Sequence, residues 1–231
     1  MPTAHDSTPD PGAAAPRHGR VIFLNGTSSS GKSSIARELL ELLDGDPYFH
    51  MSVDAFGAMR AHKEIAADAL DDVLKRTRRG FHRAVAGMAA AGNDVVVDHV
   101  LSEPWRLQDC LTVLADAEVF LVGVHCSLDE LERRERARGD RPPGLAAYQQ
   151  SRVHAHGVYD IECDSTTATP RECAALIHAG ITSYLARGAA PTAFSRLRAA
   201  RDAPGPVGRA EPGPVEMIIA GKQGAAGWYS G

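Results

Sequence analysis

Residues Gly26 to Ser33 read Gly-Thr-Ser-Ser-Ser-Gly-Lys-Ser, which is the G-x-x-x-x-G-K-S/T spacing of a phosphate-binding loop. The two glycines let the backbone curl so that successive N–H groups converge on an anion. Lys32 extends a positive charge toward the outer phosphates, and the Ser33 hydroxyl suits a Mg²⁺ ion. The apolar run Val21-Ile22-Phe23-Leu24 precedes the loop, and Ile35, Leu39, Leu42 and Leu43 follow it at helical spacing. A strand entering the loop and a helix leaving it would aim the positive helix end at the ligand. Gly26, Thr27, Ser28, Ser29, Ser30, Gly31, Lys32, Ser33 and Ser34 are therefore the candidate binding residues for a nucleoside triphosphate.

Further chemistry is expected where apolar runs end, because open parallel sheets bind ligands beyond the carboxyl ends of their strands. Asp54 follows Met51-Ser52-Val53, Asp98 follows Val95-Val96-Val97, His125 follows Val122-Gly123-Val124, and Asp164 follows Ile161-Glu162-Cys163. An aspartate in such a place also serves as a helix cap or turn former. Two carboxylates in a phosphate-loop domain suit a division of labour. One holds Mg²⁺ through its water shell and the other accepts a proton from an incoming hydroxyl.

The stretch Leu128–Arg141 is dense in charge. Asp129–Arg133, Glu130–Arg134 and Glu132–Arg136 stand four apart, the spacing of helical ion pairs. Arg138 and Arg141 have Arg134 and Ala137 at that spacing instead, and they flank Gly139-Asp140 before Pro142-Pro143-Gly144. Two arginines at a helix end beside a hinge suit a lid that closes over phosphates, because the guanidinium fork matches phosphate oxygens. The charges between Asp71 and Arg83 read as a solvated helix face. His50, His62 and His82 show no metal-like spacing.

The elements that must position these groups alternate along the chain. Short apolar runs at Val21–Leu24, Phe49–Val53, Asp94–Val97, Val119–Val124 and Tyr159–Cys163 are separated by helical stretches near 32–43, 65–92, 104–115, 128–138, 145–156 and 170–186. This pattern predicts a three-layer α/β domain around a parallel five-stranded sheet with a helical lid. Residues 1–18 read as a disordered leader, 19–187 as the domain, and 188–231 as a Pro/Gly/Ala-rich flexible tail. The net charge of −4 speaks against a generic nucleic-acid binder. Four cysteines without C-x-x-C spacing point to reduced thiols and a cytoplasmic setting. No apolar run approaches a membrane span.

With these residues in place, the chain resembles the chloramphenicol phosphotransferase family of P-loop kinases from about Val21 to Tyr184. The resemblance rests on the loop Leu-Asn-Gly-Thr-Ser-Ser-Ser-Gly-Lys-Ser, Val53-Asp54, Val-Val-Val-Asp98, the Ala-Arg-Gly-Asp-Arg-x-x-Gly block at 137–144, and His-Gly-Val-Tyr-Asp-x-Glu-x-Asp-x-Thr at 156–166. It implies ATP and Mg²⁺ as cofactors and γ-phosphoryl transfer to a hydroxyl of a small antibiotic. It further implies Asp54 as general base, Asp98 lining the acceptor pocket or assisting the metal, and Arg138 and Arg141 steadying the phosphates. Phe56 lies in the acceptor-side stretch 55–80, where the chain departs from the family pattern. His99 stands where that pattern carries a second acidic residue. A kinase for a nucleoside, sugar-nucleotide or polynucleotide acceptor shares every donor-side residue, and a non-catalytic ATP-binding switch shares the loop.

Overall fold

The computed structural model describes residues 17–61, 63–139, 144–188 and 190–203. Five strands form one sheet: β1 (Arg20–Asn25), β2 (Phe49–Ser52), β3 (Val95–His99), β4 (Glu118–His125) and β5 (Ile161–Asp164), in the order β2-β3-β1-β4-β5. Every pairing is parallel. Parallel neighbours cannot be joined by a tight turn, so each connection crosses a face of the sheet. The helices in those connections are α1 (Lys32–Leu40), α2 (Val53–Ala58), α3 (Leu70–Ala90), α4 (Pro104–Val113), α5 (Leu128–Arg138) and α6 (Leu145–Val153), and α7 (Pro170–Arg187) and α8 (Ala193–Asp202) follow the last strand.

Successive residues of a strand face opposite sides, and the core divides accordingly. Val21, Phe23, Val95 and Val97 pack with Phe81, Val85 and Leu111 of α3 and α4. Ile22, Leu24, Val96 and Val122 pack with Ile35, Leu39, Ile177 and Ile181 of α1 and α7. Strands buried on both faces explain their unbroken apolar runs. The start of α7 is also written locally. Thr169 accepts from the Glu172 backbone N–H, Glu172 returns a bond to the Thr169 N–H, and Pro170 occupies the first turn.

The sheet, the layers and six helices follow the sequence expectation, and two elements do not. Val53–Ala58 is a short helix, so β2 ends at Ser52 and Asp54 sits in the first turn of α2 rather than at a strand end. The periodicity is too short to read there, and Val53 favours strand by type. Within the stretch read as a flexible tail, Ala193–Asp202 forms α8. Thr192 caps it by accepting from the Ser195 N–H, and Phe194 is 2% exposed in the α3/α4 layer. Its apolar face is only Ala193, Phe194 and Leu197, which is faint in a background of Ala and Arg. Residues 1–16 and 204–231 lie outside the described residues. Arg17, assigned to the leader, reaches the Asp94 carboxylate at 3.0 Å. Among the described residues no helix is long and apolar enough to cross a membrane.

Because Phe194 anchors α8, Phe194→Ala should lower the unfolding free energy by about 3 kcal/mol. Urea denaturation measures this, and a loss below about 1 kcal/mol would show that α8 is not part of the cooperative core.

Candidate active site

The carboxyl edge of the sheet carries the site, and the Gly26–Ser33 loop at the end of β1 is its floor. A side chain at Gly26 would stand 2.5 Å from the Val124 carbonyl oxygen, so only glycine lets β4 approach the loop. Gly31 turns the chain into α1 with φ +85°. Ser29 holds φ 62° without being glycine, a strained conformation that collects at ligand sites. Ser30 Oγ donates to the Thr27 carbonyl at 2.9 Å. Lys32 is 6% exposed, and its Nζ donates to the same carbonyl at 2.6 Å, so its charge lies inside the loop. The structure therefore brings the loop residues together as the sequence predicts.

Asp98 joins this floor. It is 5% exposed, and Ser33 Oγ donates a short hydrogen bond to its Oδ2. His50 Nε2 stands 3.8 Å away, an electrostatic contact beyond hydrogen-bond length. Burial alone would raise the Asp98 carboxyl. His50, the Lys32 charge and the Ser33 hydrogen bond together outweigh it and hold Asp98 below its ordinary value. A hydroxyl and an ionised carboxylate in contact at a phosphate loop fit Mg²⁺, which takes few protein ligands and completes its shell with phosphate oxygens and water. Among the described residues no group of three or more His, Cys, Asp or Glu forms a denser metal site. Asp54 is exposed in the first turn of α2. Phe56, on the same helix, packs edge-on against Phe81 with ring centroids 5.6 Å apart.

The lid arginines divide differently from the sequence expectation. Arg133 pairs with Glu130 at 2.7 Å rather than with Asp129. Arg134 has the expected Glu130 bond at 2.7 Å, yet its Nη2 also donates to the Ser165 carbonyl at 2.6 Å and its Nη1 to the Ser29 carbonyl at 3.4 Å. Spacing along one helix accounts for its local partner and conceals these two, which come from the loop and from the turn after β5. A cavity of about 330 Å³ lies there, lined by Ser29, Gly31, Ser34, Arg134, Arg138 and Ser165. Arg138 lines this cavity, whereas Arg141 lies outside the described residues. Gln149 of α6 accepts from the Ser28 backbone N–H at 2.7 Å, a second contact that no motif announces. Glu135, 4% exposed, accepts from the Ala146 N–H at 2.7 Å and so ties α5 to the start of α6.

Of the remaining strand ends, Asp164 is a turn former whose Oδ1 accepts from the Thr166 N–H at 2.8 Å. His125 Nε2 contacts Glu162 at 2.7 Å, and its ring stacks on His154 at 4.1 Å. The interior holds more polar structure than the sequence suggests. Asn25, fully buried, donates to the Val153 carbonyl at 2.7 Å and to Tyr159 Oη at 2.8 Å, and accepts from the Leu101 N–H at 2.9 Å. Tyr159 in turn contacts His154 Nδ1 at 2.6 Å. On the other side of β1, His82 Nε2 meets His99 Nε2 at 2.9 Å, and His82 Nδ1 meets Asp109 at 2.6 Å.

Burial lowers His82, His154 and His156 and takes His99 well below its ordinary value. His154 is brought to about 4, with the His125 and His156 charges adding to burial. These histidines fold uncharged, so the unfolded chain binds more protons below about pH 6.5. Stability is full above that pH and falls as the pH drops toward 4. Urea titrations at pH 7 and pH 5 should differ by on the order of 2 kcal/mol or more, and equal stabilities would contradict the buried neutral histidines.

Comparison with known proteins agrees with this geometry. The family described as chloramphenicol phosphotransferase-like protein matches residues 19–182. A Mycobacterium tuberculosis protein named "Putative O-phosphotransferase Rv2636" is 32% identical over 203 residues, spanning 78% of this chain and 88% of that one. In structure, the chain is similar to the APS kinase CysC of the same organism in complex with AMPPNP and APS, at TM-score 0.56 and 20% identity over 72% of this chain and 99% of that one. It is also similar to shikimate kinase from Acinetobacter baumannii, at TM-score 0.53 and 15% identity over 72% of this chain and 94% of that one. The fold is that of the P-loop kinases, and the chain belongs to the chloramphenicol phosphotransferase-like family and is a phosphotransferase enzyme.

Proposed function

We propose that the chain transfers the γ-phosphoryl group of ATP to a hydroxyl of a small organic acceptor, with chloramphenicol or a related antibiotic-like molecule as that acceptor. The observation that carries this reading is the Ser33–Asp98 contact beside the buried Lys32, with a second carboxylate, Asp54, on the neighbouring helix α2. Ser33 and Asp98 would hold a Mg²⁺ ion, whose charge would offset that of the phosphate oxygens. The loop N–H groups and the start of α1 cradle those oxygens. Lys32, Arg134 and Arg138 neutralise charge on the transferring group, the main demand of a loose phosphoryl-transfer transition state. The acceptor oxygen forms its bond to the γ-phosphorus as the bond to the β,γ-bridging oxygen breaks, and ADP leaves. Asp54 orients the acceptor hydroxyl and takes its proton. The four free cysteines support a reducing, cytoplasmic setting.

Incubation with Mg-ATP and a panel of hydroxylated antibiotics and nucleosides tests this reading by mass spectrometry. One phosphoryl group should appear on chloramphenicol or a relative. ADP formed with no phosphorylated acceptor would favour a nucleotide-driven switch instead. Asp54→Asn should lose turnover by about 100-fold or more while ATP affinity stays near wild type, and near-normal turnover would remove Asp54 as the base. Lys32→Ala should cut turnover with every acceptor, and unchanged activity would undo the assignment of the loop.

A further inference from the structure

Asp98 and His99 are successive residues at the end of β3, so they face opposite sides of the sheet. Asp98 turns to the loop and Ser33. His99 turns to the layer that holds Phe23 and Phe81, with ring centroids 6.0 and 5.6 Å from its own. Val53 and Phe56 of α2 pack against that same layer. The helix that carries Asp54 therefore covers the side of the sheet on which His99 lies.

The hydrogen bonds of His99 are half accounted for. Asp109 is contacted by Arg83 at 3.2 Å and by His82 Nδ1 at 2.6 Å. A carboxylate accepts, so His82 Nδ1 carries the hydrogen, and in the uncharged ring His82 Nε2 then accepts. His99 Nε2 supplies the hydrogen across the 2.9 Å contact. That leaves His99 Nδ1 with a lone pair. It is buried and has no hydrogen-bond partner among the described residues. Buried polar atoms are nearly always satisfied, so an orphan beside a catalytic edge points to a ligand.

We propose that His99 Nδ1 is a specificity-determining group of the acceptor site, accepting a hydrogen bond from a second hydroxyl or N–H of the molecule whose first hydroxyl meets Asp54. This rests on the phosphotransfer reading above. The chain Asp109–His82–His99 fixes the polarity of Nδ1 in advance, so the site favours acceptors that bring a donor. Entry is through α2, a six-residue helix that buries none of its residues fully. Its Phe56 covers Phe81, and Phe81 in turn flanks His99. His99 is fully buried, so an acceptor reaches its ring only if both aromatic side chains shift, and that shift is part of the proposal.

Two substitutions separate recognition from packing. His99→Gln extends to the Nε2 position and keeps a partner for His82 while losing the atom at Nδ1. His99→Asn keeps a polar acceptor at the Nδ1 position and gives up the His82 contact. With chloramphenicol, or whichever panel member the wild type phosphorylates, KM for acceptor and KM for ATP are measured for each protein. His99→Gln should raise the acceptor KM by about tenfold, the scale of one lost hydrogen bond, at unchanged ATP KM. His99→Asn should stay within about threefold of wild type. An unaltered acceptor KM in His99→Gln, or equal impairment of both variants at normal ATP KM, overturns the proposal and makes the ring a packing element. Should His99→Asn fail to use ATP, His99→Gln decides alone. A wild type that phosphorylates no acceptor fails the parent reading, which is a different result from either.

Discussion

The hydrogen bond from Ser33 to Asp98 is the contact on which the rest of the site depends. Ser33 belongs to the first turn of α1 and Asp98 to β3, so one bond ties the phosphate loop to the neighbouring strand. Parallel pairing makes this possible. Leu24 pairs with Asp98 and Asn25 with His99, which brings the ends of β1 and β3 level at one edge. A one-residue slip would turn Asp98 into the α3/α4 layer and His99 onto the loop. The burial that would otherwise favour a neutral Asp98 is outweighed by the Lys32 charge and by His50 and Ser33. An ionised carboxylate is thereby available inside the fold, where its charge acts at low dielectric.

A second set of contacts keeps that edge rigid. Asn25 ends β1 and reaches α6, Tyr159 in the segment entering β5, and the chain leaving β3 at once. Every polar group it offers is used, which is what makes a fully buried amide tolerable. Glu135 joins α5 to α6 in the same manner. Helices α5 and α6 are thus attached to the loop by directional bonds. Arg134 and Gln149 each hold a backbone group of the loop, Ser29 and Ser28 respectively.

Much of this was legible in the residues. The loop is readable because its glycines and lysine are required by local geometry, as the close approach at Gly26 and the positive φ at Gly31 demonstrate. The three inner strands are readable because burial on both faces demands apolar runs, whereas the edge strands β2 and β5 are partly exposed and leave a weaker signal. Asp98 is legible as a candidate because it ends such a run. Asp54, a candidate by the same rule, sits in a helix too short to leave a periodic signal. Arg134, Gln149, Asn25 and the Asp109–His82–His99 chain were not legible as partners. Their bonds join residues far apart in sequence, and only the fold determines which meet. Alpha-helix α8 was hidden for a simpler reason, since one phenylalanine carries most of its burial.

In the proposed mechanism the two carboxylates have different tasks, with Asp98 serving the nucleotide and its metal and Asp54 serving the acceptor. Titration of ATP into wild type, Asp98→Asn and Asp54→Asn, with and without Mg²⁺, tests that division directly. Mg²⁺ should tighten ATP binding to wild type and to Asp54→Asn, and this gain should vanish in Asp98→Asn while metal-free binding persists. A full Mg²⁺-dependent gain in Asp98→Asn, or its loss in Asp54→Asn, would contradict the assignment.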